Sequence, residues 1–254
     1  MDWNEVFKLP PDALAGNRRV PKRALVAEGG FTRRESKILD KVQRVDLFAV
    51  VTKTTTRVLP RVDSEYDIQS VIFLRCELAW GVAAIGEVAE LLHRAFPNPT
   101  VILAEAGQSF GISAALTRNS RAEKGKVVIE HLGRTPLFDP EIEAVNDFLA
   151  ALDFGKLSQN DLLAYLKDIV WNIELSRGIP LVGFFPTCGD SSREEIRALL
   201  TSADTLSGEL QVVARQQRDR NLTLNEQFQL RARETRLKQK RDMVAGTIKE
   251  MCGG

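Results

Sequence analysis

Apolar residues along the first half of the chain recur with the period of extended strands. Residues 45–59 are rich in β-branched side chains, and residues 67–79 carry apolar side chains at even spacing. This pattern is typical of strands. Shorter apolar runs predict three more strands over 100–105, 109–116 and 126–132. The first half therefore predicts five strands.

One helical segment precedes these strands, and a second separates the first two strands from the other three. Thr32 and Glu35 form a capping box before one amphipathic segment. Residues 82–96 carry apolar residues on one helical face until Pro97 ends that helix. The order α-β-β-α-β-β-β lacks the repeated strand–helix alternation of a doubly wound parallel fold. We therefore expect an α+β fold, in which a mixed, largely antiparallel sheet is covered by a helix or two on one face.

The second half of the chain is predicted to be helical. Asp139-Pro140 is expected to begin one helix, and Ser158 is expected to cap a second. Ser191 or Ser192 is expected to open a third. The sheet should therefore be followed by helical segments and a long C-terminal helical arm.

The domain organisation follows from these changes of pattern. We expect an α/β core domain over 1–157 and a helical segment over 158–204. A basic, heptad-like helical arm should occupy 205–254, a stretch that contains no proline.

Apolar residues in this arm follow an imperfect heptad-like spacing. A stripe this thin cannot bury itself, so the arm must pack on its own body or on another chain. The sequence leaves both arrangements open, and we interpret the stripe as a candidate partner-binding seam. Its residues are Leu206, Leu210, Val213, Leu224, Phe228, Leu237, Val244, Ile248 and Met251.

Positive charge accompanies the seam. Residues 215–241 contain nine basic and three acidic side chains, a net charge of +6 in a chain whose total is +1. The positive charge is therefore interpreted as concentrated in the arm, where it suits an acidic protein partner or a nucleic-acid backbone. The basic residues are Arg215, Arg218, Arg220, Arg231, Arg233, Arg236, Lys238, Lys240 and Arg241.

One sequence string resembles a catalytic motif. Residues 107–111 (GQSFG) fit the G-x-S-x-G spacing of a nucleophile elbow, which needs a strand-to-helix turn, a histidine base and an acid. The only downstream histidine is His131, and no aspartate lies between it and Ser109. Because the following residues favour a strand, a hairpin turn is the preferred interpretation.

The remaining candidate chemistry is sparse. His93 and His131 are the only histidines and have no close His, Cys or carboxylate companions, so we expect structural roles and no metal site or cofactor. A divergent nuclease site would use Asp67 and Glu77, but Ala79 occupies the position of the required lysine. The sequence therefore predicts no catalytic residues and favours a protein that is not an enzyme.

Composition suits a globular protein in a reducing compartment. Hydrophobic residues make up 44% and charged residues 27% of the 254 residues, which argues against global disorder. The three cysteines show no disulfide-like spacing. No N-terminal signal-peptide pattern and no apolar run of about 18 residues is present. We expect a soluble, cytoplasmic protein.

Several segments together resemble one bacterial family, domain of unknown function 4391. The matching strings are FKLPPDAL, VPKRAL, KILDKVQRVDLFAVVTKTTTRVLP, DIQSVIFLRCEL, AFPNPTVILAE and LNEQFQLRARETRLKQK. One departure is Val51-Thr52-Lys53, where members often carry an aromatic-basic pair. The resemblance implies genes located beside helicases and DNA methyltransferases in restriction-like or anti-phage loci, and it supplies no catalytic residues.

Three functional hypotheses follow. The first is a non-catalytic accessory or adaptor subunit of a DNA-modification or anti-phage defence complex, docked on a helicase or methyltransferase through the arm. The second is a sequence-nonspecific module that binds the backbone of DNA. The third is a divergent metal-dependent nuclease.

Overall fold

The computed structural model describes residues 1–79, 85–120, 127–219 and 221–253. Within these ranges, the strands are β1 Leu14–Arg19, β2 Val42–Thr52, β3 Arg61–Val62, β4 Asp67–Ile68, β5 Ser70–Leu78, β6 Thr100–Ala106, β7 Ser109–Asn119 and β8 Val127–Arg134. Six of these strands form one mixed sheet in the order β1-β2-β5-β6-β7-β8, and β3 pairs with β4 in a separate two-stranded sheet.

The described helices follow the same chain order. They are α1 Trp3–Phe7, α2 Lys22–Gly29, α3 Arg33–Ile38, α4 Lys53–Thr56, α5 Gly86–Arg94, α6 Glu143–Ala151, α7 Leu162–Ser176, α8 Ile179–Val182, α9 Arg193–Gln216 and α10 Leu224–Cys252. Short 3₁₀ turns occupy Pro11–Ala13, Leu39–Lys41, Phe154–Lys156 and Asp190–Ser192. The expected α+β class, its largely antiparallel sheet and its long C-terminal helix are confirmed.

Among the described strands of the six-stranded sheet, β5 and β6 are parallel, and the other pairs are antiparallel. Parallel neighbours need a crossover connection, and the segment that contains α5 supplies it. β6 and β7 are joined by a tight turn in which Gly107 has a φ of +64°. Glycine adopts this left-handed conformation without the steric cost that a Cβ imposes.

Helices cover both faces of the sheet, so the expectation of cover on one face was wrong. Leu74 on β5 packs in a core with Val88 and Leu92 of α5. Its neighbour Phe73 points to the opposite face, because side chains alternate along a strand. There the ring of Phe73 lies 5.1 Å from that of Phe7 in α1, centroid to centroid.

Several predicted boundaries shift for local reasons. The capping box of Thr32 and Glu35 is confirmed, since each residue's backbone N–H donates to the other's side chain. The strand expected over 45–59 ends at Thr52, whose hydroxyl caps α4. Ser158 does not cap α7; Asp161 accepts from the backbone N–H of Ala164 instead, at 2.8 Å.

The N-cap expected at Asp139 was also wrong. Asp139 accepts from the backbone N–H of Glu141 at 3.0 Å, and α6 begins later, at Glu143. The local bond of Asp139 makes a turn that competes with helix formation.

The chain divides into two compact units, residues 1–174 and 175–254. The first contains the sheets and helices α1 to α6, with most of α7, and the second contains α8, α9 and α10. The predicted boundaries at 157 and 204 stay predictions. In the described part of the chain, no helix is both long enough and apolar enough to cross a membrane.

Candidate interaction surface on the C-terminal hairpin

The predicted arm contributes to both helices of a helical hairpin. Residues 205–216 belong to α9, which begins at Arg193, and α10 follows after the connection 217–223 and packs against α9. Thr223 starts α10 by accepting from the backbone N–H of Glu226 at 3.3 Å, and the Glu226 carboxylate accepts from the backbone N–H of Thr223 at 2.8 Å.

The predicted seam separates into inner and outer residues. Val213, Leu237 and Ile248 are buried, while Leu224 and Phe228 are 85% and 72% exposed. Leu206, Leu210, Val244 and Met251 are partly buried. Most of the seam thus packs at least partly within its own chain, and its two residues at the start of α10 face solvent.

Two small residues complete the inner face and were missed by the sequence interpretation. Ala203 of α9 and Ala245 of α10 are both buried. A methyl side chain lets neighbouring helices pack closely, but it contributes little to a hydrophobic pattern. Only the spacing indicated that Ala245 lies on the buried face, since it precedes Ile248 by three residues and follows Leu237 by eight.

Polar contacts also join the two helices. Gln217 Nε2 donates to Glu234 Oε2 at 2.9 Å, and Arg233 Nη2 lies 3.3 Å from Glu209 Oε2. Lys238 Nζ lies 2.6 Å from Glu234 Oε1. The side-chain hydrogen bond from Lys238, with a further one from Gln217, lowers the pKa of Glu234. Such exposed pairs contribute little to stability, but they fix the positions of the charges.

The predicted basic residues differ in their pairing. Arg233 and Lys238 are paired as above, and Arg241 Nη2 lies 3.9 Å from Asp242 Oδ1. Arg220 lies outside the described residues. The other five make no ion pair within 4 Å to any described carboxylate: Arg215, Arg218, Arg231, Arg236 and Lys240.

The exposed apolar residues lie near the start of α10, and two of the unpaired arginines are close in sequence. Leu224 and Phe228 are four residues apart, so they share one side of the helix. Arg231 follows Phe228 by less than one turn, and Arg218 lies in the connection from α9. Exposed aromatic side chains together with arginine are typical of protein–protein contacts. We call Leu224 and Phe228, with Arg218 and Arg231, the hairpin tip.

The G-x-S-x-G string lies in a β-hairpin, as the sequence interpretation preferred. Ser109 begins β7 and pairs with Ala106 at the end of β6. A nucleophile elbow requires a helix directly after the serine. The strand that follows Ser109 therefore cannot provide one.

The two histidines have separate surroundings. His93 is buried, and its Nε2 lies 2.9 Å from the Ser113 hydroxyl while its Nδ1 contacts the Thr100 hydroxyl. Burial lowers the pKa of His93 to about 3. His131 Nε2 lies 2.6 Å from Oε1 of the buried Glu174. Both histidines thus contact side chains of their own unit.

The proposed nuclease residues do not form a common site. Asp67 lies on β4, whereas Glu77 lies near the far end of β5. The seven-residue separation between Ser70 and Glu77 along the strand spans about 23 Å. Asp67 precedes Ser70 by three residues, which span at most about 10 Å. The carboxylates of Asp67 and Glu77 therefore lie too far apart to bind one ion. Among the described side chains, no group of three His, Cys, Asp or Glu is arranged to hold a metal ion.

A polar cluster that the sequence did not reveal connects α1 to the sheet. Trp3 Nε1 donates to Glu105 Oε1 at 2.8 Å, and Arg75 Nη2 donates to Glu105 Oε2 at 2.8 Å. Arg75 also borders a cavity of about 250 Å³ with Asn17 and Phe48. Because the Glu105 carboxylate already binds both partners, this cluster is a structural connection between α1, β5 and β6.

Comparison with known proteins returns one family. A model described as "Domain of unknown function (DUF4391)" matches residues 7–241, nearly the whole chain. No curated protein and no solved structure matches the chain.

Proposed function

Because the chain belongs to the DUF4391 family, we propose that it is a non-catalytic accessory subunit that docks a larger protein through the hairpin tip. The observation that carries this proposal is the exposure of Leu224 and Phe228 on one side of α10. Both belong to the seam that the sequence pattern singles out. The partner we propose is a helicase or DNA methyltransferase of a cytoplasmic DNA-modification or defence complex.

Exposed apolar side chains are common on soluble proteins, but their combination in the hairpin tip is less common. A single exposed leucine needs no explanation. Here a leucine and a phenylalanine lie one turn apart on a helix whose other apolar side chains, except Met243, are at least partly buried. Full burial of each side chain by a partner would contribute about 1.5–3 kcal/mol.

The charges at the hairpin tip indicate the chemistry of the partner. Arg218 and Arg231 have no described carboxylate within 4 Å, so both guanidinium groups are available to another molecule. A complementary surface would be an apolar groove bordered by aspartate or glutamate. Such edge charges mainly accelerate association and exclude wrong partners, while the apolar anchors supply most of the affinity.

The decisive experiment uses a purified helicase or DNA methyltransferase, the kind of partner that we propose. The full-length chain and a Leu224→Ser/Phe228→Ser variant are each mixed with the purified partner, and binding is measured by calorimetry and co-elution. We expect affinity to fall by about 30-fold or more, which corresponds to a loss of at least about 2 kcal/mol. Because both side chains are exposed, the variant should keep the stability of the native chain.

Met243 provides a matched control. It is 73% exposed on the same helix, about 22 Å along the axis from Phe228. A Met243→Ser variant should bind the partner as the native chain does. Equal affinity of the native chain and the Leu224→Ser/Phe228→Ser variant would reject the hairpin tip as the docking surface.

The five unpaired cations of the hairpin support a second candidate, nonspecific binding of a DNA backbone by the arm. Their placement makes this candidate weaker. Arg231 and Arg236 are five residues apart, and at 3.6 residues per turn they point about 140° apart around α10. The phosphate backbone of one DNA duplex would therefore contact only some of these five cations. A flat dependence of DNA affinity on salt would exclude this candidate.

A further inference from the structure

A second basic region lies in the first unit. Residues 18–44 contain nine basic and three acidic side chains, a net charge of +6 in 27 residues. This equals the charge of residues 215–241. The interpretation that positive charge is concentrated in the arm was therefore wrong.

The structure brings this region together around short elements. It comprises the edge strand β1, the helices α2 and α3, and the 3₁₀ turn Leu39–Lys41. Both helices contact α5, so they lie in the helical layer on that face of the sheet. Helix α2 has eight residues and is about 12 Å long. That length corresponds to three or four base pairs of duplex DNA, at about 3.4 Å each.

Most of the cations in this region lack an ionic partner. Lys41 pairs with Glu87 at 2.6 Å, and Arg44 pairs with Asp46 at 2.7 Å. The other seven make no ion pair within 4 Å among the described residues: Arg18, Arg19, Lys22, Arg23, Arg33, Arg34 and Lys37. Six of the seven are exposed, and Lys22 is half-buried. We call these seven residues the N-terminal basic surface.

The acidic residues of the region do not neutralise this surface. Glu35 binds the backbone and hydroxyl of Thr32 and pairs with Arg94, so its carboxylate is already occupied. The backbone hydrogen bond from Thr32 and the side-chain bond from Arg94 lower the pKa of Glu35 to about 2. Glu28 and Asp40 are exposed and leave a clear excess of positive charge.

The surface differs from the hairpin tip in its apolar content. Residues 18–44, all of which the structure describes, include no large hydrophobic side chain that is exposed. The only aromatic residue there, Phe31, is partly buried and lies 5.8 Å beneath the guanidinium of Arg94. Protein-binding surfaces need apolar anchors, and single-stranded nucleic acids need exposed rings for stacking. Cations without either suit a phosphate backbone.

From these observations we propose that the N-terminal basic surface binds the phosphate backbone of duplex DNA without reading its sequence. Arginine and lysine contacts to phosphates release counterions, which makes the affinity fall steeply with salt. This inference does not rest on the hairpin tip, because its residues lie in the other unit.

The test measures binding of the full-length chain to a labelled DNA duplex of about 20 base pairs by fluorescence anisotropy. If about five cations meet phosphates, the slope of log K against log[salt] is about −4.5. Affinity then falls roughly 500-fold between about 50 and 200 mM salt. A slope near zero would overturn the proposal.

Substitutions on α2 and α3 localise the effect. Arg23→Ala/Arg33→Ala removes one exposed cation from each helix, and alanine is the best helix former, so both helices should persist. We expect the slope to weaken by about 1.8 and the affinity at 0.1 M salt to fall roughly 60-fold. Arg23→Lys/Arg33→Lys keeps the charges and should bind DNA nearly as the native chain does.

Control variants show whether a loss of DNA affinity comes from the N-terminal basic surface, from the lower total charge or from the hairpin. Arg236→Ala/Lys240→Ala makes the same change of charge on α10, outside the hairpin tip, and should leave DNA affinity nearly unchanged. An equal loss in both alanine variants would overturn the proposal, as would binding to vesicles rich in phosphatidylserine but not to DNA. Arg23→Ala/Arg33→Ala should still bind the protein partner, so failure of one proposal is distinguishable from failure of the other.

Discussion

The buried His93 should make the stability of the first unit depend on pH. His93 is 2% exposed, and the hydroxyl groups of Ser113 and Thr100 contact its two ring nitrogens. Burial lowers its pKa from 6.5 to about 3. The folded protein therefore keeps this imidazole neutral at a pH where the unfolded chain protonates it.

The sign of the effect follows from this difference. The folded pKa is depressed, so the contribution is fully present above the unfolded value of 6.5 and is lost as pH falls towards 3. At about pH 5 the unfolded chain carries most of one extra proton. Between about pH 7.5 and pH 5, the free energy of unfolding should fall by about 2 kcal/mol from His93 alone.

Urea unfolding followed by circular dichroism at the two pH values measures this difference. The native chain is compared with His93→Gln, whose amide can both donate and accept a hydrogen bond at the same position. His93→Gln should be less stable at both pH values, but its loss on acidification should be smaller by about 2 kcal/mol. His131→Gln retains the buried His93, so its free energy of unfolding should depend on pH as strongly as that of the native chain. The same pH dependence in the native chain and His93→Gln would refute the reasoning.

Two further predictions concern glycine and cysteine. Gly208 lies inside α9 with open space at the Cβ position, so Gly208→Ala should raise the free energy of unfolding by about 0.5–1 kcal/mol in the same urea assay. Gly178→Ala should lower the free energy of unfolding, because its Cβ would lie 2.8 Å from Pro186 Cγ. A stabilised Gly178→Ala variant would contradict the packing there. Burial raises the pKa of the Cys76 thiol to about 12, so a thiol reagent at neutral pH should leave Cys76 unmodified until urea unfolds the chain. Modification of native Cys76, located by peptide mass spectrometry, would argue against its burial.

The strands were predictable because their patterns are long and regular. The apolar residues at even positions of 72–78 lie on β5, and the run 109–116 lies within β7, although Ile68 belongs to β4. The covering of the second face was not predictable in the same way. Helix α1 has only five residues, too few to display a helical period, yet its Trp3 and Phe7 lie over the sheet. Contacts between residues more than 60 positions apart in the sequence place α1 on the sheet, and local propensity does not reveal such contacts.

The hairpin was not predicted because the connection between its helices lacks the residues that usually mark a turn. Residues 217–223 contain neither glycine nor proline, so the apolar spacing suggested one continuous arm. The sequence does carry another signal, since Thr223 and Glu226 have the spacing of a capping box. Asp219 adds to the break by accepting from the backbone N–H of Asn221 at 2.9 Å. Cap chemistry was more informative here than hydrophobic period.

Net charge alone does not distinguish the two basic regions, because each carries +6 over 27 residues. Exposed apolar side chains do distinguish them. The hairpin tip presents Leu224 and Phe228, which gain free energy only when a partner excludes water from them. The N-terminal basic surface presents cations alone, and these bind phosphates without excluding much water. We therefore expect the Leu224→Ser/Phe228→Ser variant to weaken binding of the protein partner alone, and the Arg23→Ala/Arg33→Ala variant to weaken binding of DNA alone.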